Sequence, residues 1–249
     1  KIRSAVLTEE GLRRTLAPDQ VDLVLAATGT ARGLWPRNAD SPDGLVLRVG
    51  TTDERPSITL QGDPWPEFEQ PVLRNVPVTV DLRTTGVLGV VGAPAAADRL
   101  ARWLLVQLGT LRSPEDLRLV VITSTDDAEL AWTSWLPHLD AGEAGHVPCR
   151  IGNTAATRTA RVDELRDLVA GRTAERRTAG EVRFGEDVVV VLHGALALRH
   201  VPGMREVLRD GPSVGVYVIC VDRQGMNECR GLCEIDESAL LLTRSRDDH

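Results

Sequence analysis

Four nearly unbroken apolar runs constrain this chain most: Val87–Gly92, Leu117–Thr123, Asp187–Leu192 and Val214–Val221. A half-buried strand alternates apolar and polar residues. A run apolar at every position, rich in β-branched residues and 6–8 residues long, suits a strand covered on both faces. Helical patterns separate the runs. One spans Ala95 to Gly109, with Leu100, Trp103, Leu104 and Leu108 on one face; another spans Arg161 to Gly171, with Val162, Leu165, Leu168 and Val169; a third spans Gly203 to Asp210. Buried strands alternating with helices predict an α/β fold, a mostly parallel sheet flanked by helices.

The first 75 residues read differently. Thr8-Glu9-Glu10 is expected to open a helix ending at Leu16, with Thr8 as cap. A second helix from Pro18 to Ala27 would bury Val21, Val24 and Leu25. Residues 34–77 are rich in Pro, Gly and Asp, which predicts short strands and long connections, including Leu45–Gly50 and a loop at Gly62–Pro66. No linker divides the chain. The expectation is one domain over 1–249, with 1–75 an extension packed on an α/β core at 76–249. Val147–Gly152 and Gly231–Thr243 read as further strands. A short helix from Asp126 to about Leu136 carries Trp132 and Trp135 on one face, and Arg176-Arg177 falls in a polar loop.

In an open α/β sheet, ligands bind beyond the carboxyl ends of the strands. The first strand-to-helix turn is Gly92-Ala93-Pro94-Ala95-Ala96-Ala97-Asp98-Arg99, which has the context of a phosphate-binding loop, G-x-x-x-x-G-K-[S/T]. Gly92 matches the first glycine. Ala97 falls at the second glycine, Asp98 at the lysine and Arg99 at the hydroxyl residue. Each departure removes a function: tight curling around phosphate, charge on the outer phosphates, and a magnesium ligand. Composition sharpens the point, because Lys1 is the chain's only lysine and the other 28 basic residues are arginine. Asp98 inverts the charge. Two like charges at about 4 Å repel by roughly 4 kcal/mol at an effective dielectric near 20. The alternative reading of Asp98 is a first-turn acid matched to the helix dipole.

A magnesium-holding aspartate would be expected after an apolar strand. The Val188–Leu192 run ends instead in His193-Gly194, and a neutral imidazole is a poor magnesium ligand. His193 reads as a hydrogen-bonded structural residue, with a general base as the alternative. No G-x-S-x-G or G-x-G-x-x-G occurs. Cys149, Cys220, Cys229 and Cys233 lack the two close ligand pairs of a structural zinc site, so they read as reduced, buried small hydrophobes. The net charge of −7 argues against a broad nucleic-acid face. No run of about 18 apolar residues or signal peptide is present, so this stretch is not expected to insert in a membrane. Starting at Lys1, it is expected to be a piece of a longer protein.

An ordered set of motifs resembles the FtsK/SpoIIIE-type ATPases of type VII secretion. The set is Leu34-Trp35-Pro36-Arg37, Ser41-Pro42-Asp43, Leu47-Arg48-Val49-Gly50, Val76–Leu82 with Gly86–Gly92, Ser113–Arg118, Trp135-Leu136-Pro137-His138, and Gly211–Val216 with Ile219–Asp222. It covers most of residues 34–235. The resemblance implies a RecA-like, P-loop NTPase-like domain, degenerate at its nucleotide site, lying between the membrane-proximal part and the first true ATPase module. Related proteins place an aspartate where His193 stands. The implied parent is a membrane-anchored motor on the cytoplasmic side of the bacterial inner membrane. ATP and magnesium would bind its other modules, and no cofactor is expected here. The implied partners are adjacent ATPase modules of the same chain and other subunits of the secretion complex. The leading expectation is thus a non-catalytic module, with degenerate positions Gly92, Ala97, Asp98, Arg99 and His193. Two alternatives are a nucleotide hydrolase using Arg99 and His193, and a DNA-contacting module of a translocase.

Overall fold

The computed structural model describes residues 2–29, 33–57, 70–125, 128–140, 150–180, 182–236 and 239–244. The Gly62–Pro66 loop, Asp126, residues 147–149 and Lys1 lie outside them. The chain opens with α1 (Ile2–Leu16) and α2 (Gln20–Ala27). An antiparallel hairpin of β1 (Val46–Glu54) and β2 (Leu73–Asp81) follows, then the single turn α3 (Leu82–Thr85). The remainder is a seven-stranded sheet. Its strands are β3 (Val87–Gly92), β4 (Leu117–Thr123), β5 (Ile151–Gly152), β6 (Asp187–His193), β7 (Val216–Asp222), β8 (Gly231–Ile235) and β9 (Leu240–Arg244), in the spatial order β5-β4-β6-β7-β3-β8-β9. All are parallel except β9, which turns back against β8. The helices are α4 (Pro94–Leu111), α5 (Ala155–Ala179), α6 (Ala195–Leu198) and α7 (Met204–Asp210).

The apolar runs are explained by two cores, one on each sheet face. Leu119 and Val121 of β4, Val189 and Val191 of β6, and Ile219 and Val221 of β7 pack with Leu100, Leu104 and Leu108 of α4 and with Leu45, Leu47 and Val49 of the hairpin. The intervening residues, Val120, Ile122, Val188, Val190 and Val218, pack with Val162, Leu165 and Val169 of α5 and Val207 and Leu208 of α7. Each such side chain contributes about 1.5–3 kcal/mol on burial.

The hairpin is tied to α4 by polar bonds as well. The Arg48 backbone N–H donates to Gln107 Oε1 at 2.8 Å, and Gln107 Nε2 and Trp103 Nε1 both donate to the Arg48 carbonyl. Gln107, almost fully buried, thereby acts as a strand partner. Among the described residues no helix is long and apolar enough to cross a membrane.

Several local expectations change. α1 begins at Ile2, and Thr8 lies inside it, its hydroxyl donating to the Ser4 carbonyl. Glu9 and Glu10 do not open the helix; they accept from the backbone N–H groups of Ser57 and Arg74. On α2 the cap is Asp19 and the buried residues are Leu23 and Ala26. Val21, Val24 and Leu25 face outward. The region expected as a helix from Asp126 is a 3-10 helix, Ala128–Trp135, in which Trp132 packs on the core while Trp135 is 88% exposed. α5 starts earlier and ends later than predicted, so Arg176 and Arg177 occupy its last turn rather than a loop.

Candidate functional site

The candidate positions meet at the carboxyl ends of β3 and β6. β3 ends at Gly92 and α4 begins at Pro94, leaving only Ala93 between them. Gly92 has φ +149°, a conformation that favours glycine. A Cβ there would lie far inside contact distance of the Ile235 carbonyl oxygen on β8. The neighbouring strand therefore accounts for this glycine without any phosphate.

The next residues are already helical. The N–H groups of Ala96 and Ala97 both donate to the Ala93 carbonyl, at 2.9 and 3.0 Å, and Pro94 has no N–H. Of the donors that a phosphate-binding loop would aim at a ligand, those of Ala96 and Ala97 are thus used and that of position 94 is missing. Ala97 is buried against the sheet. Asp98, one turn into α4, reaches across the end of β7 to β6. His193 Nε2 donates to Asp98 Oδ1 at 2.8 Å, and both side chains are partly buried. The structure therefore joins Asp98 and His193. Arg99 is exposed and joins neither.

The strand ends around this pair are closely packed. Ser124 N–H donates to the His193 carbonyl and Gly194 N–H to the Val221 carbonyl. Gly194, at φ +79°, has no room for a Cβ against Ser124. Asp222 at the end of β7 was not singled out as a site residue. Its carboxylate accepts from the N–H groups of Leu196, at 2.9 Å, and Arg223, at 2.7 Å, and so caps α6. An aspartate ending an apolar strand was the signal available for it. Among the described residues no group of three or more His, Cys, Asp or Glu side chains is placed to hold a metal.

The motif residues gather at the opposite, amino end of the strands. Trp35 N–H and Arg37 N–H donate to the carbonyls of Thr110 and Leu111, and Trp35 Nε1 donates to Gly109, so this segment caps the C-terminus of α4. Trp35 does so at φ +61°, strained for a side chain of its size, and its ring meets His138 edge-on. Arg37 pairs with Asp43 at 3.1 Å and donates to the carbonyls of Leu16 and Val46. Arg112, fully buried, donates to Asp187 Oδ2 at 3.2 Å and to the Asp116 carbonyl. Arg83 donates to the same Asp187 oxygen and to the carbonyls of Ser41 and Ala39. Burial works against the charge on Arg83, but the Asp187 bond holds its pKa above the ordinary value. Burial, with Asp187 nearby, pushes the Tyr217 hydroxyl up to about 12. His138 donates through Nε2 to the Arg112 carbonyl at 2.8 Å; burial pushes its pKa down and Arg112 opposes its protonation.

No protein-family model matches the chain. It is 32% identical over 173 residues to the ESX-5 secretion system protein EccC5 of Mycobacterium marinum, covering 59% of this chain and 12% of that protein. It is 26% identical over 122 residues to the ESX secretion system protein EccC of Thermomonospora curvata, covering 42% and 9%. The chain is a relative of the EccC secretion proteins. It spans only about a tenth of the length of these EccC relatives. Its fold matches the EccC structure of Thermomonospora curvata (ATPases 2 and 3, in complex with a signal sequence peptide) with a TM-score of 0.55 and 19% identity, over 80% of this chain and 37% of that one. The conjugation coupling protein TcpA of pCW3, solved with ATPγS, matches with a TM-score of 0.53 and 12% identity, over 81% and 57%. These likenesses, like the sheet itself, show a RecA-like P-loop ATPase fold.

Proposed function

We propose that this chain is a non-catalytic ATPase-like module of a membrane-anchored type VII secretion translocase. Residues 1–249 act together as one module, linking the membrane part of the parent to its ATPase modules and assisting assembly or regulation of the motor. The observation that carries this reading is the Asp98–His193 hydrogen bond. The position of the phosphate-binding lysine and the position after the apolar strand, where magnesium would be held, satisfy each other. Mg-ATP would have to break that bond and bring its negative charge beside a carboxylate.

The module works on the cytoplasmic side of the membrane. Its partners are the adjacent ATPase modules and other subunits of the secretion complex. Exposed apolar side chains such as Val21 and Val24 on α2 and Trp135 supply surface for such contacts. Two measurements on this chain test the reading: isothermal titration with Mg-ATP and a phosphate-release assay. Neither binding in the micromolar range nor turnover is expected, and either one overturns it.

A further inference from the structure

Cys220 and Gly89 are partners in the parallel ladder between β7 and β3, so their side-chain positions share one sheet face. That face is crossed by the β7–β8 connection, residues 223–230, which packs there through Met226 and Cys229. Gly89 makes the room. A Cβ at residue 89 would stand 2.6 Å from Leu232 Cδ1 and 3.1 Å from Cys229 Sγ. Cys229 therefore sits over a notch one strand spacing, about 4.8 Å, from Cys220. Each thiol shifts the ionisation of the other. Cys220 is buried and Cys229 only partly so. Cys233 packs in the core on the other face.

We propose that Cys229 and Cys220 form an oxidant-responsive dithiol, with Cys229 the attacking thiol and Cys220 the resolving one, converted by a hydroperoxide into a disulfide that staples the β7–β8 connection to β7. The Cys220 thiol draws the Cys229 pKa below its ordinary value. Cys229, with burial, raises that of Cys220, so the thiolate forms on the less buried sulfur. The Cys229 thiolate attacks one peroxide oxygen. An S–O bond forms, the O–O bond breaks, and the second oxygen takes a proton and leaves, as water from hydrogen peroxide or as the alcohol from an organic hydroperoxide. The Cys220 sulfur then attacks the Cys229 sulfenic acid. The S–S bond forms, the S–O bond breaks, and the Cys220 proton leaves with the hydroxyl as water. The two thiols are oxidised by two electrons and the peroxide is reduced. Burial pushes Cys233 up to about 12, which, with its place on the other face, keeps it out of the exchange.

The test treats the chain with hydrogen peroxide, blocks free thiols with an alkylating agent, and maps the digested peptides by mass spectrometry. The expected product is one Cys220–Cys229 linked peptide pair, two hydrogens lighter than its parts and released by dithiothreitol. Cys220→Ser should convert the outcome to sulfenic and then sulfinic acid at Cys229. Cys149→Ser and Cys233→Ser should leave the link intact. In the untreated chain, Cys229 should alkylate before Cys220 and Cys233. Absence of the link in the folded wild-type chain, a link through Cys149 or Cys233 instead, or alkylation of Cys220 ahead of Cys229 overturns the proposal. None of these outcomes depends on whether the chain binds nucleotide.

Discussion

Arg112 and Asp187 meet at 3.2 Å across the amino end of the sheet, one closing α4 as its C-cap and the other opening β6. Arg112 is fully buried and Asp187 is largely so, its side chain 13% exposed. Removing one member of a buried pair costs about 3–5 kcal/mol, because the other is left without compensation. Asp187→Asn should therefore lower the unfolding free energy by about 3 kcal/mol, read from the urea midpoint at constant slope. Arg112→Met should cost less, since Arg83 still faces the carboxylate. A loss under about 1 kcal/mol for Asp187→Asn would contradict this account.

His138 makes stability depend on pH. Its folded pKa lies below the ordinary 6.5, first because it is buried and then because Arg112 lies beside it. Above pH 6.5 both states are neutral and the group contributes no slope. As pH falls below 6.5 the unfolded chain takes up the proton first, so stability drops until the folded pKa is passed. Urea unfolding at pH 8 and pH 5.5 should show the loss, and His138→Gln should reduce the difference between them. An unchanged difference in the variant sinks this assignment.

Gly92→Ala should destabilise the chain by about 3 kcal/mol or more, because both φ and the Ile235 carbonyl exclude a side chain. The melting temperature measures it. A variant as stable as the parent would show that β8 does not dictate this glycine.

Asp98→Lys restores the charge of a phosphate-binding loop at one position only. The helical N–H groups and Pro94 remain, so nucleotide titration should still show no micromolar affinity. The cost in stability should be about 1 kcal/mol or less, as for a partly exposed pair. Tight Mg-ATP binding by this single variant would mean that the backbone of the turn is competent after all.

Trp132 and Trp135 should separate cleanly. Trp132→Ala strips a partly buried ring from the edge of the core and should cost about 1–2 kcal/mol. Trp135→Ala should change stability by less than about 0.5 kcal/mol, while weakening association with a neighbouring module in a pull-down. Equal thermal shifts for the two variants would contradict the distinction.

The central strands were legible because burial on both faces forces an unbroken apolar run, and the starts and ends of β4 and β6 follow the runs to within a residue. α4 was legible from its spacing for the same reason. α2 was not: six of its eight residues are apolar, so the sequence offers little contrast to say that Leu23 and Ala26, not Val21 and Val24, turn inward. The true extent of α5 depends on long-range bonds, with Arg172 donating to Val214 and Glu186 carbonyls and Arg176 to Ser213. Those partners are 14 to 42 residues away. At the candidate site, the charge reversal at Asp98 could be read directly, but its pairing with His193 requires knowing that β7 lies between β3 and β6. The dual demand on Gly92 from φ and from β8 is invisible in a motif that already asks for glycine.

Arg37 has a mechanical consequence. One side chain grips the last turn of α1 through Leu16, the start of β1 through Val46 and the turn at Asp43, while its backbone is latched to the end of α4. The end of α1 is thus held, through the Leu16 carbonyl, by an anchor that is itself fixed to β1, to the turn at Asp43 and to α4. A tug on α1 is delivered as shear to the base of the sheet, and the helices and strands move as one lever.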